Sequence, residues 1–465
     1  MTALPIALRT NQSKFSFAGE AQLINAYAEQ QGNDAKAPYA VLPAAGLTTF
    51  TTVTDTPGRG QIALEDLDRV YSVHSTSVYK YTEDGTVTRI GTLPGSDQVQ
   101  LSRNQAATVQ VSISCAAGQF YIENDLVKKV TDVDLPDGVI SQDQLGGYTT
   151  YLLEDRRFFL SSINECQTID GLDFATAEQS ADPAVRVKAD GDLFIFKRRQ
   201  TEQWRNTGNA DFPFEPIGTP IRRGLMAAQA VAAIDNTMTF LGDDGVVYRV
   251  VGTGAIQRIS THWVERKFLN DAAQSSIAAI AFPYEGHSFT TYTGSDYSVC
   301  YDAATQFWHT RSSYQQGFWR ARNPVRIWGK TLVQDALSGK IFEVDPDAYV
   351  EDDQPLIWGM DTPTFHLFPN GGVIDALSLD VATGVGLTSG QGSNPKLMLS
   401  WSTDGGATFK GHRELSLGTY GKSVRVTTRR LGRFNEKGVI FRIRVSDPVI
   451  RSLIAMDISA RPRKL

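Results

Sequence analysis

Cysteine is scarce in this chain, and its three copies stand far apart. They are Cys115, Cys166 and Cys300. A disulfide framework or a cysteine-ligated zinc site needs cysteines in closely spaced sets, so the sequence predicts neither. The same scarcity favours synthesis in a reducing compartment.

Long apolar runs are also missing. No stretch approaches the roughly 18 consecutive apolar residues of a membrane-spanning helix. Residues 1–30 lack the basic segment, apolar run and small-residue cleavage site of a signal peptide. We therefore expect a soluble protein that is not secreted through a signal peptide and does not insert into a membrane on its own.

Patterns typical of catalytic or metal centres are absent. The histidines have no HExxH or other close metal-ligand spacing, and no G-x-S-x-G elbow occurs. The carboxylates Asp243-Asp244 and Glu351-Asp352-Asp353 lie in turn contexts, where Asp bonds its own backbone. The sequence thus predicts no catalytic residue, no cofactor and no metal site.

Short strand-like segments and turn residues dominate what is present. The 465 residues include 40 Gly and 19 Pro, and 10% are aromatic, a composition that favours many short strands over long helices. Groups of β-branched and aromatic residues recur about every 35–50 residues, the size of one four-stranded propeller blade. They cover 69–90, 108–130, 149–169, 185–204, 231–259, 277–308 and 325–344.

The predicted fold class is therefore all-β: a β-propeller of six or seven blades with an additional C-terminal β-rich domain. Hairpins such as Phe240–Tyr248 and 292–301 have Gly or Asp at the turn and end in an aromatic residue. A pair of β-sandwiches with the same turn chemistry remains the alternative. The predicted domains are an extended N-terminal segment (1–55), the propeller (56–350) and a C-terminal β-rich domain with basic strands (351–465).

Charge is distributed unevenly along the chain. The whole chain has 45 Lys+Arg and 51 Asp+Glu, a net charge of −6, which does not favour a protein that coats nucleic acid through its bulk charge. Residues 410–465 contain 14 basic and 4 acidic residues, a net of +10, which leaves −16 for residues 1–409. This asymmetry predicts two surfaces with different partners.

One short segment matches a defined sequence motif. Ser402-Thr-Asp404-Gly-Gly406-Ala-Thr408-Phe409 matches the Asp-box pattern S-x-D-x-G-x-T-aromatic. In such a turn the Ser and Asp side chains bond turn amides, a glycine has positive φ, and the ring packs beneath the hairpin. We predict that this turn has a structural role and binds no ligand.

The order of several motifs resembles a known family. Leu23-Ile-Asn-Ala-Tyr-Ala-Glu29 followed by Leu42-Pro-Ala-Ala-Gly-Leu-Thr-Thr-Phe50 is similar to the start of phage tail hub proteins. These are also called tail nozzle or packaged-DNA stabilisation proteins of short-tailed phages. The end is similar too, through Thr403-Asp-Gly-Gly-Ala-Thr-Phe409, Arg429-Arg-Leu-Gly-Arg433 and Val439-Ile-Phe-Arg-Ile-Arg-Val445.

The resemblance implies a structural virion protein without enzymatic activity. It implies a homo-hexameric ring below the portal and its adaptor that closes and then conducts the packaged genome. The implied partners are other copies of the chain, the portal-adaptor protein, a tail fibre, spike or needle protein, and double-stranded DNA in passage. The implied location is the virion tail, after synthesis in the host cytoplasm.

The basic C-terminal region supplies the candidate assembly interface. A DNA conduit works best if its wall does not hold phosphates, so these arginines are expected to face neighbouring subunits or an acidic adaptor surface. The candidate residues are Arg429, Arg430, Arg433, Arg442 and Arg444. The alternative function is a carbohydrate-active or carbohydrate-binding propeller, sialidase-like or lectin-like, in which the Asp box marks the family.

Overall fold

The structure is a computed structural model that describes residues 2–15, 20–32 and 34–463. Nearly all regular structure in these residues is β-strand. The first six strands are β1 (Thr2–Leu4), β2 (Asn11–Gln12), β3 (Glu20–Ile24), β4 (Ala26–Gln30), β5 (Tyr39–Pro43) and β6 (Gly46–Thr52).

The central part of the chain forms successive antiparallel four-stranded sheets. Blades one to three contain β7 (Gly58–Leu64), β8 (Arg69–His74), β9 (Ser77–Tyr81) and β10 (Val87–Thr92); β11 (Gln100–Arg103), β12 (Gln110–Cys115), β13 (Gly118–Glu123) and β14 (Leu126–Lys129); and β15 (Val139–Leu145), β16 (Tyr148–Leu153), β17 (Arg157–Ser162) and β18 (Glu165–Thr176).

Blades four and five continue the same pattern, and one helix follows them. They contain β19 (Ala184–Asp190), β20 (Asp192–Lys197), β21 (Thr201–Asn206) and β22 (Phe214–Pro216); and β23 (Val231–Ile234), β24 (Thr237–Leu241), β25 (Val247–Gly252) and β26 (Ala255–Arg258). Helix α1 (His262–Leu269) lies in the connection to blade six.

Blade six contains β27 (Ala278–Tyr284), β28 (His287–Thr293), β29 (Ser298–Asp302) and β30 (Phe307–Arg311). Blade seven contains β31 (Ala321–Ile327), β32 (Lys330–Asp335) and β33 (Lys340–Asp345), and its outer strand is β6 from the N-terminal region. The antiparallel register pairs Phe342 with Thr49 and Val344 with Leu47. The ring of blades is thus closed by two distant parts of the chain.

Apolar side chains fill the spaces between neighbouring blades. Between blades one and two, Leu64 and Val73 pack with Ile113 and Ile122. Burying a side chain of this size contributes about 1.5–3 kcal/mol. The predicted hairpins fit this packing: Phe240 and Tyr248 lie on paired strands of blade five, with ring centroids 5.8 Å apart.

The last strands form a two-layered β-sandwich together with N-terminal strands. Before them, β34 (Val350–Glu351) and β35 (Gln354–Pro355) extend the sheet of blade seven beyond β6. The strands of the sandwich are β36 (Trp358–Asp361), β37 (Gly371–Val381), β38 (Lys396–Ser402), β39 (Lys410–Ser416), β40 (Val426–Phe434), β41 (Ile440–Val445) and β42 (Leu453–Arg463). One layer has the order β4-β5-β42-β37-β40, with β1 beside β42, and the other has the order β3-β36-β41-β38-β39. Leu399, Phe441 and Ile443 of one layer and Leu377 and Ile458 of the other belong to the core between them.

The predicted fold class is confirmed: the protein is a β-propeller, here of seven blades, with a C-terminal β-rich domain. Strands of the predicted segment 1–55 pair with both parts, since β6 completes blade seven and β3 joins blade six to the sandwich. Residues 1, 16–19, 33, 464 and 465 of the predicted divisions lie outside the described residues. The division at 55 and 350 stays a prediction.

Candidate functional site

The Asp-box residues form a tight, hydrogen-bonded turn at the end of β38. Ser402 Oγ accepts hydrogen bonds from the Gly406 amide at 2.9 Å and from the Asp404 amide at 3.3 Å. The same hydroxyl donates to Asp404 at 2.6 Å, and the carboxylate of Asp404 accepts from the Thr408 amide at 2.9 Å. Gly406 has a φ of 90°. The side chains therefore bond the turn itself.

The ring of Phe409 joins this turn to Arg442, one of the candidate arginines. The Arg442 guanidinium lies 3.5 Å from the Phe409 ring centroid and donates to Asp361 at 2.8 Å. Arg444 also binds Asp361, with 2.8 Å between Nη2 and Oδ1. Burial lowers the pKa of Arg444. The pKa of Glu20, which lies beside the turn, is raised mainly by burial and also by the nearby charge of Asp361.

Arg442 and Arg444 therefore pair with a carboxylate of their own chain, and the expectation that all five arginines face a partner stays a prediction. Their strand β41 pairs with β36, and the register places Asp361 opposite Arg442. Since β41 is an inner strand of its layer, its alternate side chains meet neighbours of the same chain. Arg442 and Arg444 lie on the face of β41 opposite the core residues Phe441 and Ile443 and share the carboxylate of Asp361.

The other three candidates lie on an open edge of the sandwich. β39 and β40 are each the last strand of their layer, and they meet along this edge. Arg413 of β39 joins them, since its guanidinium donates to Thr428 Oγ1 at 2.8 Å and to the Arg429 carbonyl at 2.7 Å. The two outer strands are thus tied together through one side chain.

A bulge in β40 shapes this edge. The pairing to β37 shifts between Ile374, opposite Gly432, and Ala376, opposite Arg429, so two residues of β40 face one of β37. Arg430, inside the bulge, has a φ of 59°. Bulges bend a strand and redirect its side chains, which blunts an edge against unspecific strand pairing.

Arg429, Arg430 and Arg433 are exposed, and no ion pair, side-chain hydrogen bond or ring contact joins them to the rest of the described chain. We call these three residues the basic edge. Unpaired guanidiniums present planar donor forks that match carboxylates or phosphates. The basic edge is the part of the predicted interface that is free to meet a partner.

The described residues contain no cluster of metal ligands. No group of three or more His, Cys, Asp or Glu side chains among them could hold a metal ion. All three cysteines are buried, and burial raises the pKa of the Cys166 and Cys300 thiols to about 12, which keeps them protonated. No helix in the described ranges is long and apolar enough to cross a membrane.

The chain matches two protein-family models in tandem. One is described as bacteriophage P22 Gp10, beta-propeller, and matches residues 9–349. The other is described as bacteriophage P22 Gp10, beta-sandwich, and matches residues 357–461. A search of curated protein sequences found no significant match.

A search of solved structures also returns matches of low sequence identity. The WD40 β-propeller domain of Doa1 is 12% identical, covers 64% of this chain and 97% of its own, and has a TM-score of 0.43. The RRP9 WD40 repeats are 10% identical, with 65% and 99% covered and a TM-score of 0.43. The computationally designed Ika8 protein is 13% identical, with 74% and 100% covered and a TM-score of 0.39.

Proposed function

The chain belongs to the bacteriophage P22 Gp10 family of phage structural proteins, and from this membership we propose that it is a tail hub, or nozzle, subunit of the virion. In this proposal six copies form a ring below the portal and adaptor. The ring first closes the genome exit channel, then conducts the DNA, and it also docks fibres, spikes or a plug. The function is structural and needs no catalytic centre.

The basic edge is the single observation that supports assembly through the sandwich. Three exposed arginines without side-chain partners among the described residues lie together on β40, the last strand of one layer, whereas Arg442 and Arg444 of the same domain pair with Asp361. Adjacent like charges repel, and an acidic partner surface relieves that repulsion. A neighbouring subunit or an acidic adaptor surface supplies such a partner.

The charge of the remaining chain suits a conduit for DNA. Each Lys or Arg that binds a phosphate adds salt-dependent affinity that must be broken as the genome moves. Residues 1–409 carry a net charge of −16, so a channel wall built from them does not hold DNA. The basic edge is better placed against protein than along the channel.

The test is assembly of a triple variant. Replacing Arg429, Arg430 and Arg433 with Ala should leave the monomer folded and weaken its association with other copies or with virions, as measured by sedimentation velocity and virion pull-down. Because salt screens charge pairs, the difference from wild type should shrink as the salt concentration rises.

A matched control removes three positive charges outside the basic edge instead. Lys129→Ala/Arg326→Ala/Lys422→Ala changes exposed side chains that are unpaired among the described residues, and this variant should assemble as wild type does. Wild-type association of the triple variant at every salt concentration would contradict the proposal, and so would an equal loss in the control.

A further inference from the structure

Two arginine pairs far apart in sequence meet on the surface of the propeller. Arg198-Arg199 form the turn between β20 and β21, and Arg222-Arg223 lie in the connection from blade four to blade five. The Thr201 amide donates to the Ile221 carbonyl at 2.9 Å and the Ile221 amide donates back to Thr201 at 2.9 Å. These bonds set the two segments side by side.

Gly224 allows the two arginine segments to lie close together. A Cβ on Gly224 would lie 2.1 Å from the backbone carbonyl of Arg198 and 2.3 Å from the Arg199 nitrogen. No larger residue fits there, so the second arginine pair stands directly against the first. All four arginines are exposed.

Only one of the four charges is compensated within the chain. Arg223 Nε lies 2.9 Å from Asp244 Oδ2 and donates to Tyr248 Oη at 3.0 Å, while neighbouring Asp243 accepts from the Gly224 amide. The side chains of Arg198, Arg199 and Arg222 have no ion pair, hydrogen bond or ring contact within the described residues. We call these three residues the propeller arginine cluster.

A buried ion pair holds the turn that presents the cluster. Lys197 and Glu202, on either side of the turn, bind each other and are 0% and 1% exposed. Lys197 Nζ also donates to the Ser180 carbonyl at 3.1 Å, and Glu202 accepts from the Gln179 amide at 3.0 Å. A buried pair adds little net stability, but it fixes geometry, and here it fixes the position of the arginine turn.

We propose that the propeller arginine cluster is a docking site for a carboxylate-rich protein segment. Neighbouring like charges destabilise the free surface, and rigid arginine forks bind carboxylates with two-pronged hydrogen bonds. The site goes beyond the proposed assembly role, because it lies on the propeller and uses none of the residues of the basic edge.

The surroundings favour protein over nucleic acid as the partner. Residues 1–409, which contain the cluster, have a net charge of −16 and repel a long polyanion. A protein that binds duplex DNA through on the order of 6–10 phosphate contacts neutralises more charges than three free guanidiniums supply. A short segment with two or three carboxylates matches the size of the cluster.

The experiment measures binding of the full chain to a fluorescent poly-glutamate peptide at physiological salt, with duplex DNA and inorganic phosphate as separate probes. Arg198→Ala/Arg199→Ala/Arg222→Ala should weaken peptide binding about tenfold or more, a difference of about 1.4 kcal/mol or more. The matched variant Lys129→Ala/Arg326→Ala/Lys422→Ala removes three exposed basic side chains, unpaired among the described residues, that belong neither to the cluster nor to the basic edge, and it should bind the peptide as wild type does.

A third variant tests the chemistry of the arginine fork. Arg198→Lys/Arg199→Lys/Arg222→Lys keeps the charge and should recover only part of the affinity, because Lys lacks the planar fork. Equal losses in the two alanine variants would overturn the proposal by showing unspecific charge attraction. Absence of peptide binding, or tighter cluster-dependent binding of DNA or phosphate, would also overturn it. The assembly test of the basic edge is independent of each of these outcomes.

Discussion

Asp404 shows how one carboxylate organises a whole turn. It accepts from Ser402, from the Thr408 amide and from the Thr408 hydroxyl, and these bonds, that of Ser402 foremost, hold its pKa well below the ordinary value. Asp404→Ala should lower the free energy of unfolding by about 2 kcal/mol at neutral pH, measured by urea titration.

The pH dependence of that loss has a definite sign. Because the folded-state pKa is depressed, the contribution of Asp404 is present above the unfolded value near 3.8 and disappears as pH falls through the folded value. The gap between wild type and Asp404→Ala should therefore narrow below about pH 4. Equal melting of the two proteins at neutral pH would contradict the structural role of the turn.

Gly406 tests the same turn through its backbone. It has a φ of 90°, and a Cβ there would lie 2.6 Å from Glu20 Oε2. Gly421 has a φ of 67° and nothing within 4 Å of such a Cβ, so it serves as the matched control. Both substitutions carry the cost of positive φ, roughly 1–2 kcal/mol. Gly406→Val should lower the melting temperature more than Gly421→Val, because only its side chain meets Glu20.

At the level of the elements, closure of the propeller places a histidine between blades one and seven. His74 is fully buried, and its Nε2 lies 2.8 Å from Ser72 Oγ and 3.1 Å from Gln334 Nε2. Burial lowers its pKa to about 4. A protonated His74 is therefore poorly tolerated at this blade contact.

The expected result is acid sensitivity that depends on His74. The unfolded chain takes up this proton near pH 6.5 and the folded chain near pH 4, so stability falls as pH drops between these values, by at most about 1.4 kcal/mol per pH unit. Urea titrations of His74→Gln should show a weaker pH dependence over this range. His412→Gln, at a side chain 62% exposed, should leave the dependence unchanged.

Elements that depend on local patterns could be predicted from the sequence, and those that depend on distant pairing could not. The hairpin of β24 and β25 follows from alternating apolar residues around Gly242 and Gly245. The partner of β6 lies across the whole propeller, and no local signal identifies it. Strand β3 likewise pairs with the distant strands β30 and β36, and Asn25, which follows it, has a φ of 48°.

The same distinction applies to the candidate surfaces. Alternation along β41 places Arg442 and Arg444 on one face, but the sequence does not show that Asp361 lies beside them. Nor does it show that Arg198-Arg199 and Arg222-Arg223 are neighbours. Charge counts identify the basic residues. Only the structure shows which of their side chains are paired within the chain and which are free.

At the scale of the whole molecule, we expect the protein to have no hydrolytic activity. The described residues contain no metal cluster, and the Asp box bonds its own turn. Assays with sialosides and other glycosides should show no turnover above buffer. Turnover that disappears in a single-carboxylate variant would instead support the carbohydrate-active alternative.

The central claim is that this protein is a ring-forming structural subunit of the virion tail that assembles through the basic edge of its sandwich. A cryo-electron microscopy reconstruction of the tail tests it most directly. We expect the reconstruction to show a ring of propeller–sandwich subunits in which Arg429, Arg430 and Arg433 contact acidic side chains of a neighbouring subunit or of the adaptor. A tail without this protein, or a ring whose three arginines line the channel around DNA, would contradict it.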